Sequence, residues 1–353
     1  MAIRVEKKKL LDALTSIKLN VPQSDMSDVS KYTIFQNGRI HAFNDMAGMT
    51  IPFDADMDNC VVDSVLLWEF VKNVPDKEFL MGLKDGALRV QGASKIGDDI
   101  IMAEFALRDD LVYPSELIED NPNEYSNLPE TFYTALSYTA FACDDESAVS
   151  SRIAIKDGYA YSKGRLAACK FYLGDEAVSM IPEPMFVSPS AIGFVNRDAP
   201  KKYFIKNGWL HLMNEAGTVL SMRTRIDPNF PFKAIDEMLV KGSAEEFRLP
   251  ANIRDILLRC VPFSGHSAKI RKVDVRMDKG IMSVTAKRSD GSRFLEKTKC
   301  GDTASPIVFS INVKTFSDVI ELADKYQTDG YRLLGFGTNF VTMISIEASN
   351  DWS

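Results

Sequence analysis

Residues 307–348 read IVFSINVKTFSDVIELADKYQTDGYRLLGFGTNFVTMISIEA, and they spell out one small structural unit. Val308, Ser310 and Asn312 alternate with Phe309 and Ile311, the period of a half-buried strand. From Val313 the period changes. Phe316, Val319, Ile320 and Ala323 fall at helical spacing, with Lys314, Asp318, Glu321 and Lys325 on the other face. Thr328-Asp329-Gly330 stops the helix. Two strands follow, Tyr331 to Phe336 and Phe340 to Ile346, around a Gly-Thr-Asn turn. A unit this small cannot bury its helix face alone, so the helix must lie against a sheet.

Working outward, the same order of elements recurs. Val5 to Ile17 reads as a helix with Leu10, Leu11, Leu14 and Ile17 inward, followed by strands around Asn37-Gly38, a strong hairpin turn. Cys60 to Asp63 leads into a helix, Ser64 to Val74, with Leu66, Leu67, Phe70 and Val71 on its apolar face. Further helices are expected over Pro129 to Cys143, Ser188 to Asn196 and Pro250 to Val261, with hairpins at Lys84-Asp85-Gly86, Asp157-Gly158 and Asn207-Gly208. The paired anchors Leu10, Phe132 and Ile253 lie 122 and 121 residues apart. A fixed large period signals repeat architecture. The reading is an α+β chain of three similar domains, each a duplicated helix-plus-antiparallel-sheet unit, at 1–110, 128–226 and 246–353. Linkers are expected at 111–127 and 227–245, where prolines gather and, in the first, acids dominate.

Bulk composition narrows the class. The 353 residues are 45% hydrophobic and 26% charged, ordinary for a globular chain with substantial cores. No apolar run approaches the ~20 residues needed to cross a bilayer, so no membrane partner is expected. Five scattered cysteines without a CxxC pair read as reduced, buried thiols in a cytoplasmic protein. A net charge of −7 disfavours nucleic-acid binding unless the charges are segregated. Summed over the six expected helices the charge is positive, so the remainder is more acidic than the whole. The charges are therefore segregated, modestly, toward the helices.

Three local segments resemble one family. Arg223 to Phe232, RTRIDPNFPF, is similar to a Ser-Arg-Leu-Ile-x-Gly-x-Phe-Pro segment of the bacterial-type sliding clamp, the β subunit of DNA polymerase III. Ser162 to Ala168, SKGRLAA, resembles that family's Thr-Asp-Gly-His-Arg-Leu-Ala, and Phe309 to Leu322 resembles its Phe-Asn-x-x-Tyr-Leu-Leu-Asp-x-Leu. They occur in the family's order along a six-unit chain. Two departures stand out: the histidine of the Gly-His-Arg-Leu motif is missing, and the chain ends ISIEASNDWS instead of in a Met-Pro-Met-like tail. Divergence of this degree points to a phage or plasmid clamp.

The resemblance implies a homodimeric DNA clamp ring whose helices line a hole around double-stranded DNA. It also implies partners, a DNA polymerase and a clamp loader, that dock through short linear peptides. Expected phosphate contacts are Arg4, Lys7, Lys8, Lys18, Lys72, Arg197, Lys201, Arg254 and Arg259, few and blind to sequence. The expected ring closure sets the edge strand Ile101 to Leu107, through Phe105 and Leu107, against Val261, Pro262 and Phe263. Carried over by position, the partner-peptide pocket comprises Val149, Gly164, Arg165, Leu166, Met238, Met343 and Ile344. Methionines suit a surface that accepts several peptides, because they re-pack easily.

No enzyme, cofactor or metal reading survives. Histidines 41, 211 and 266 are far apart and read as structural. Asp54, Asp56 and Asp58 imitate a calcium loop, but Asn59 stands where glycine is required and Val65 where the bidentate glutamate belongs. Gly335-Phe336-Gly337 lacks the third glycine and the following helix of a dinucleotide motif. The alternative to a DNA-encircling clamp is a clamp-fold scaffold that binds peptides without encircling DNA.

Overall fold

A computed structural model describes residues 2–349 apart from 22–27, 45, 54–56, 93–100, 109, 112, 115–123, 145–150, 182–183, 190, 225–228 and 266–270. Among these residues lie eight α-helices: α1 Lys7–Asn20, α2 Ser64–Asn73, α3 Phe132–Ala140, α4 Asp175–Met180, α5 Ala191–Asp198, α6 Phe232–Met238, α7 Ile253–Cys260 and α8 Val313–Ile320. Six are the helices read from the repeat. The short α4 and α6 are additional. All strand pairings between the described strands are antiparallel.

The chain divides into two compact units, Met1–Leu128 with Ser190–Arg225, and Pro129–Pro189 with Ile226–Ser353. The middle stretch expected as one domain thus contributes half to each. The reason lies in two strand pairings of long range. In the first unit Ala47–Pro52 pairs with Val219–Arg223, with Thr50 opposite Val219. This joins two hairpin systems into an eight-stranded sheet. In the second unit Ala167–Tyr172 pairs with Phe340–Ser345, with Ala168 opposite Met343, inside a seven-stranded sheet. Each unit also holds a four-stranded sheet. One runs Ile3–Glu6, Glu78–Lys84, Ala87–Gly92, Met102–Ala106; the other runs Arg293–Lys299, Ile281–Lys287, Lys272–Asp278, Ile307–Asn312.

The turns follow from residue type. Asn37, Asp85, Asp157, Asn207 and Lys279 have φ between 48° and 52°, and each precedes a glycine that is also left-handed. Two successive positive φ values make the tight hairpin whose twist matches its strands, and glycine takes the second at no steric cost. Helix starts repeat too. The Asp63 carboxylate accepts from the Val65 and Leu66 amides at 2.9 Å, and Asn312 caps Lys314 and Thr315 at 3.0 and 3.2 Å. Both caps end a strand and satisfy amides that the first helical turn leaves unbonded.

Several expectations are corrected. Residues Ile3–Glu6 form a strand on Glu78–Lys84, so the first helix starts only at Lys7. In α2 the buried positions are Leu67 and Val71, whereas Leu66 is 61% exposed. The run Val65-Leu66-Leu67-Trp68 is apolar throughout and carries no phase of its own. Helix α8 ends at Ile320, and Lys325–Thr328 is a strand paired with Arg332–Gly337, because Tyr326 and Gln327 are buried there. The first segment read as a surface linker is anchored at both ends: Tyr113 is buried beside Ile34, Val61 and Trp209, and Ser126–Asn127 adds a strand to Lys202–Lys206. The second contains α6, whose Ile235 and the neighbouring Phe230 and Leu239 are buried against Ala154, Tyr161, Ala168 and Phe186.

Candidate nucleic-acid and partner interfaces

In the first unit α1 packs against α2 and α5. Their apolar positions (Leu10, Leu14 and Ile17 of α1, Leu67 and Val71 of α2) face inward, which leaves the lysines outside. The Lys7 ammonium donates to the Lys72 carbonyl at 3.1 Å and to the Val74 carbonyl. It thereby neutralises the C-terminal end of α2, where bare carbonyls concentrate negative charge. Lys18 and Lys72 both lie over the Trp68 ring, 3.6 and 4.5 Å from its centroid. The Trp68 indole N–H donates to Thr15 Oγ1 at 3.1 Å, which fixes the ring across both helices. Lys8, Arg197 and Lys201 are exposed.

The remaining expected phosphate contacts are engaged otherwise. Arg4 sits on the edge strand Ile3–Glu6 and pairs with Glu78 at 3.2 Å. In the second unit α7 packs against α8, and Arg254 of α7 pairs with Glu321 at 2.9 Å. Arg259 forks onto Glu296. The hydrogen bond from Arg259 holds the Glu296 carboxyl below its usual range, so this pair is ionised and internally neutral at pH 7.

The expected peptide pocket falls inside the second unit. The pairing of Ala167–Tyr172 with Phe340–Ser345 puts Leu166 and Met343 on one face of the sheet, and α6 lies over that face. Met343 packs among Ala168, Ile235 and Leu239. Leu166 remains 38% exposed, and its carbonyl accepts from Ser345 N–H at 2.8 Å. Met238 closes α6, and its carbonyl accepts from Arg332 Nη1 at 2.5 Å while Arg332 Nε meets Asp329 at 2.6 Å. Ile344 alternates to the other face. It is 1% exposed, in the core with Phe309, Phe316 and Leu333. Val149 lies outside the described residues.

Gly164 and Arg165 are held by Asp144, whose carboxylate accepts from the Arg165 amide at 2.5 Å. A Cβ on Gly164 would stand 2.5 Å from the Ala142 carbonyl and 2.6 Å from that carboxylate, so only glycine fits. Sequence reasoning did not find Arg332, Ser345 or α6's tether. Their role depends on register between strands more than a hundred residues apart, and no local pattern marks it.

At the expected ring closure, Met102–Ala106 is the open edge of its sheet. Phe105 is buried within its own unit, with its ring 5.9 Å from Phe70. Leu107 is half-buried. Val261, Pro262 and Phe263 form a single helical turn after α7, and Phe263 packs on Phe294, 5.8 Å away. Phe294 belongs to Arg293–Lys299, the open edge of the second unit's four-stranded sheet, on which Leu295 is exposed.

Among the described residues no cluster of three metal-binding side chains occurs, and no helix is long and apolar enough to cross a membrane. All five cysteines are free thiols, and burial pushes those of Cys60, Cys143 and Cys260 up to about 12. His41 bonds Thr50 Oγ1 at 3.0 Å and His211 bonds Ser221 Oγ at 2.8 Å, both buried between strands.

No protein-family model and no curated protein matches the sequence. Solved structures do match. Caulobacter crescentus pol III beta shares 14% identity with a TM-score of 0.77, over 99% of this chain and 100% of that one. The DNA polymerase III beta chain of Streptococcus pneumoniae gives 13% and 0.77 with the same coverage. The DNA polymerase III subunit beta of Pseudomonas aeruginosa gives 11% and 0.75, again with the same coverage. The chain therefore has the fold of the bacterial polymerase clamps from end to end.

Proposed function

We propose that this protein is a DNA sliding clamp: a non-enzymatic homodimeric ring that encircles double-stranded DNA and tethers a replicative polymerase. One observation carries the reading: the clamp fold extends over 99% of the chain and all of the matched chains. Three repeats per chain, in two chains, make a ring of six domains. The open edges Met102–Ala106 and Arg293–Lys299 support closure by strand pairing between copies, the first from one protomer and the second from its partner. Identities of 11–14% at full length fit a clamp of a phage or plasmid replicon, acting in the cytoplasm.

The mechanism is topological. A ring on DNA needs no tight groove, and exchangeable phosphate contacts from lysines let it move. Its gain is effective concentration, since a tethered polymerase rebinds its primer end intramolecularly. The surface of Leu166, Met238 and Met343 supports docking of short peptides from polymerase and clamp loader. The test is loading onto nicked circular DNA followed by linearisation. A clamp slides off the cut ends; protein that stays bound, or never becomes resistant to high salt on the circle, sinks the reading. A strict monomer at micromolar concentration that still binds peptide identifies a scaffold instead.

A further inference from the structure

The seven-stranded sheet of the second unit turns one face toward α6, and register decides which cations stand on it. Lys156 lies on that face beside Tyr159, Lys170 beside Tyr161, Lys325 beside Phe336 and Arg332 beside Ser345. Each is answered by an acid: Asp157 at 3.9 Å, Asp236 at 2.7 Å, Glu246 at 3.4 Å and Asp329 at 2.6 Å. Lys163 stands on the same face, opposite Ala168, which is itself opposite Met343. It is half-buried, and among the described residues its side chain has no hydrogen bond and no ion pair. Asp144 is close by, beside Gly164, but its carboxylate accepts from the Arg165 amide. An ammonium partly withdrawn from water without a counter-charge is a cost to the fold. Here it borders the apolar floor of Leu166, Ala168 and Met343, where an incoming chain can supply the missing charge. The segment Ser162 to Ala168 resembles a motif with aspartate at this place, so the sign of the charge is reversed in this chain.

We infer that Lys163 is a specificity-determining residue of the peptide surface, and that the segment it selects carries an acidic side chain within about three residues of its apolar anchor. The inference rests on the peptide-docking reading and names the chemistry of that partner. The spacing comes from the sheet. Neighbouring strands lie about 4.8 Å apart, so Lys163 and Met343, with one strand between theirs, are about 10 Å apart, which an extended chain covers in about three residues. A carboxylate is favoured over a neutral polar group because the ammonium has no acid of its own to satisfy it. Aspartate and glutamate both serve, since lysine acts as a point charge on a flexible stem.

The experiment is selection of a displayed library of randomised octapeptides on the immobilised full-length protein and on variants of it. These are Lys163→Gln, Lys163→Glu and, as a charge control, Lys233→Gln, whose lysine is 92% exposed on α6. Wild type and Lys233→Gln are expected to enrich apolar residues with an acid nearby. Lys163→Gln should enrich the apolar residues alone, and Lys163→Glu should replace the acid by a base. The strongest wild-type peptide is then titrated in calorimetry beside its acid-to-amide counterpart. The amide should bind wild type roughly fivefold more weakly at low salt, and Lys163→Gln should not distinguish the two peptides. The difference should shrink as salt is raised. Lys163 holds nothing else in the described fold, so thermal midpoints should match wild type, and a changed consensus then reports recognition and not packing. An acid retained by Lys163→Gln or Lys163→Glu, or a wild-type consensus without an acid, overturns the inference. A wild-type selection that enriches no apolar consensus overturns the peptide-docking reading itself.

Discussion

Arg259 of α7 meets Glu296 of the edge strand Arg293–Lys299 through a fork, Nε and Nη2 lying 3.0 and 2.6 Å from the two carboxylate oxygens. The pair ties a helix to the sheet beneath it and cancels the charge of the arginine locally. Glu296→Gln should release that charge. Its expected signature is a duplex-binding slope against log salt steeper by about 0.9, the increment for one more neutralised phosphate. Anisotropy titration of a labelled short duplex with the full-length protein across a range of salt checks it.

The proposed partner surface separates by face. Leu166→Asp should abolish binding of a polymerase-derived peptide in calorimetry while leaving thermal stability within a few degrees, since Leu166 is 38% exposed. Ile344→Ala should do the reverse in kind. As a core residue it should cost about 2–4 kcal/mol in urea unfolding, with peptide affinity lost only as far as the fold is lost.

Gly164 has no room for a side chain. Gly164→Ala should displace either the Ala142 carbonyl or the Asp144 carboxylate that holds the Arg165 amide. Overpacking of this kind costs roughly 1–3 kcal/mol. Here it should also weaken peptide binding, because Leu166 follows directly; parallel urea and calorimetric titrations read both.

The two helix caps offer a test of the repeat. Asp63→Ala and Asn312→Ala should each lower unfolding free energy by about 1 kcal/mol, and the glycine variants by less. Unequal losses greater than twofold would mean that the two corresponding units do not share their local energetics.

Asp318 of α8 is half-buried, and burial raises its carboxyl above the ordinary value, with Glu321 adding and Lys314 opposing. A carboxyl raised in the fold favours the folded state only while protonated, so its contribution is complete below the unfolded value and is lost as pH rises through the folded one. Asp318→Asn should therefore be more stable than wild type at neutral pH, and the difference should close on acidification to roughly pH 4. Urea midpoints at the two pH values read the sign directly.

Much of the architecture was legible in local signals. The switch of period at Val313 marked a helix that begins there, and the buried sets Phe132, Ala135, Leu136, Thr139 and Ile253, Ile256, Leu257, Cys260 lie on the expected faces. Asn or Asp before glycine marked hairpins, because only certain residues adopt two successive positive φ values cheaply. These are properties of neighbours within a turn or two, and a single sequence carries them in full.

Tertiary structure decided what depends on distant partners. The pairings of Thr50 with Val219 and Ala168 with Met343 fused hairpins into large sheets, and no short-range pattern encodes such a register. Register in turn sent Ile344 to the core and Met343 toward α6. The outward turn of Leu66 was likewise hidden, because an unbroken apolar run has no phase until a sheet selects one face. Charge behaved the same way: composition located the basic helices, but only spatial neighbours separated Arg254 and Arg259, neutralised by Glu321 and Glu296, from Lys18 and Lys72 at Trp68. A side chain's free charge is set by what folding brings within a few ångströms of it, and the sequence alone does not state that distance.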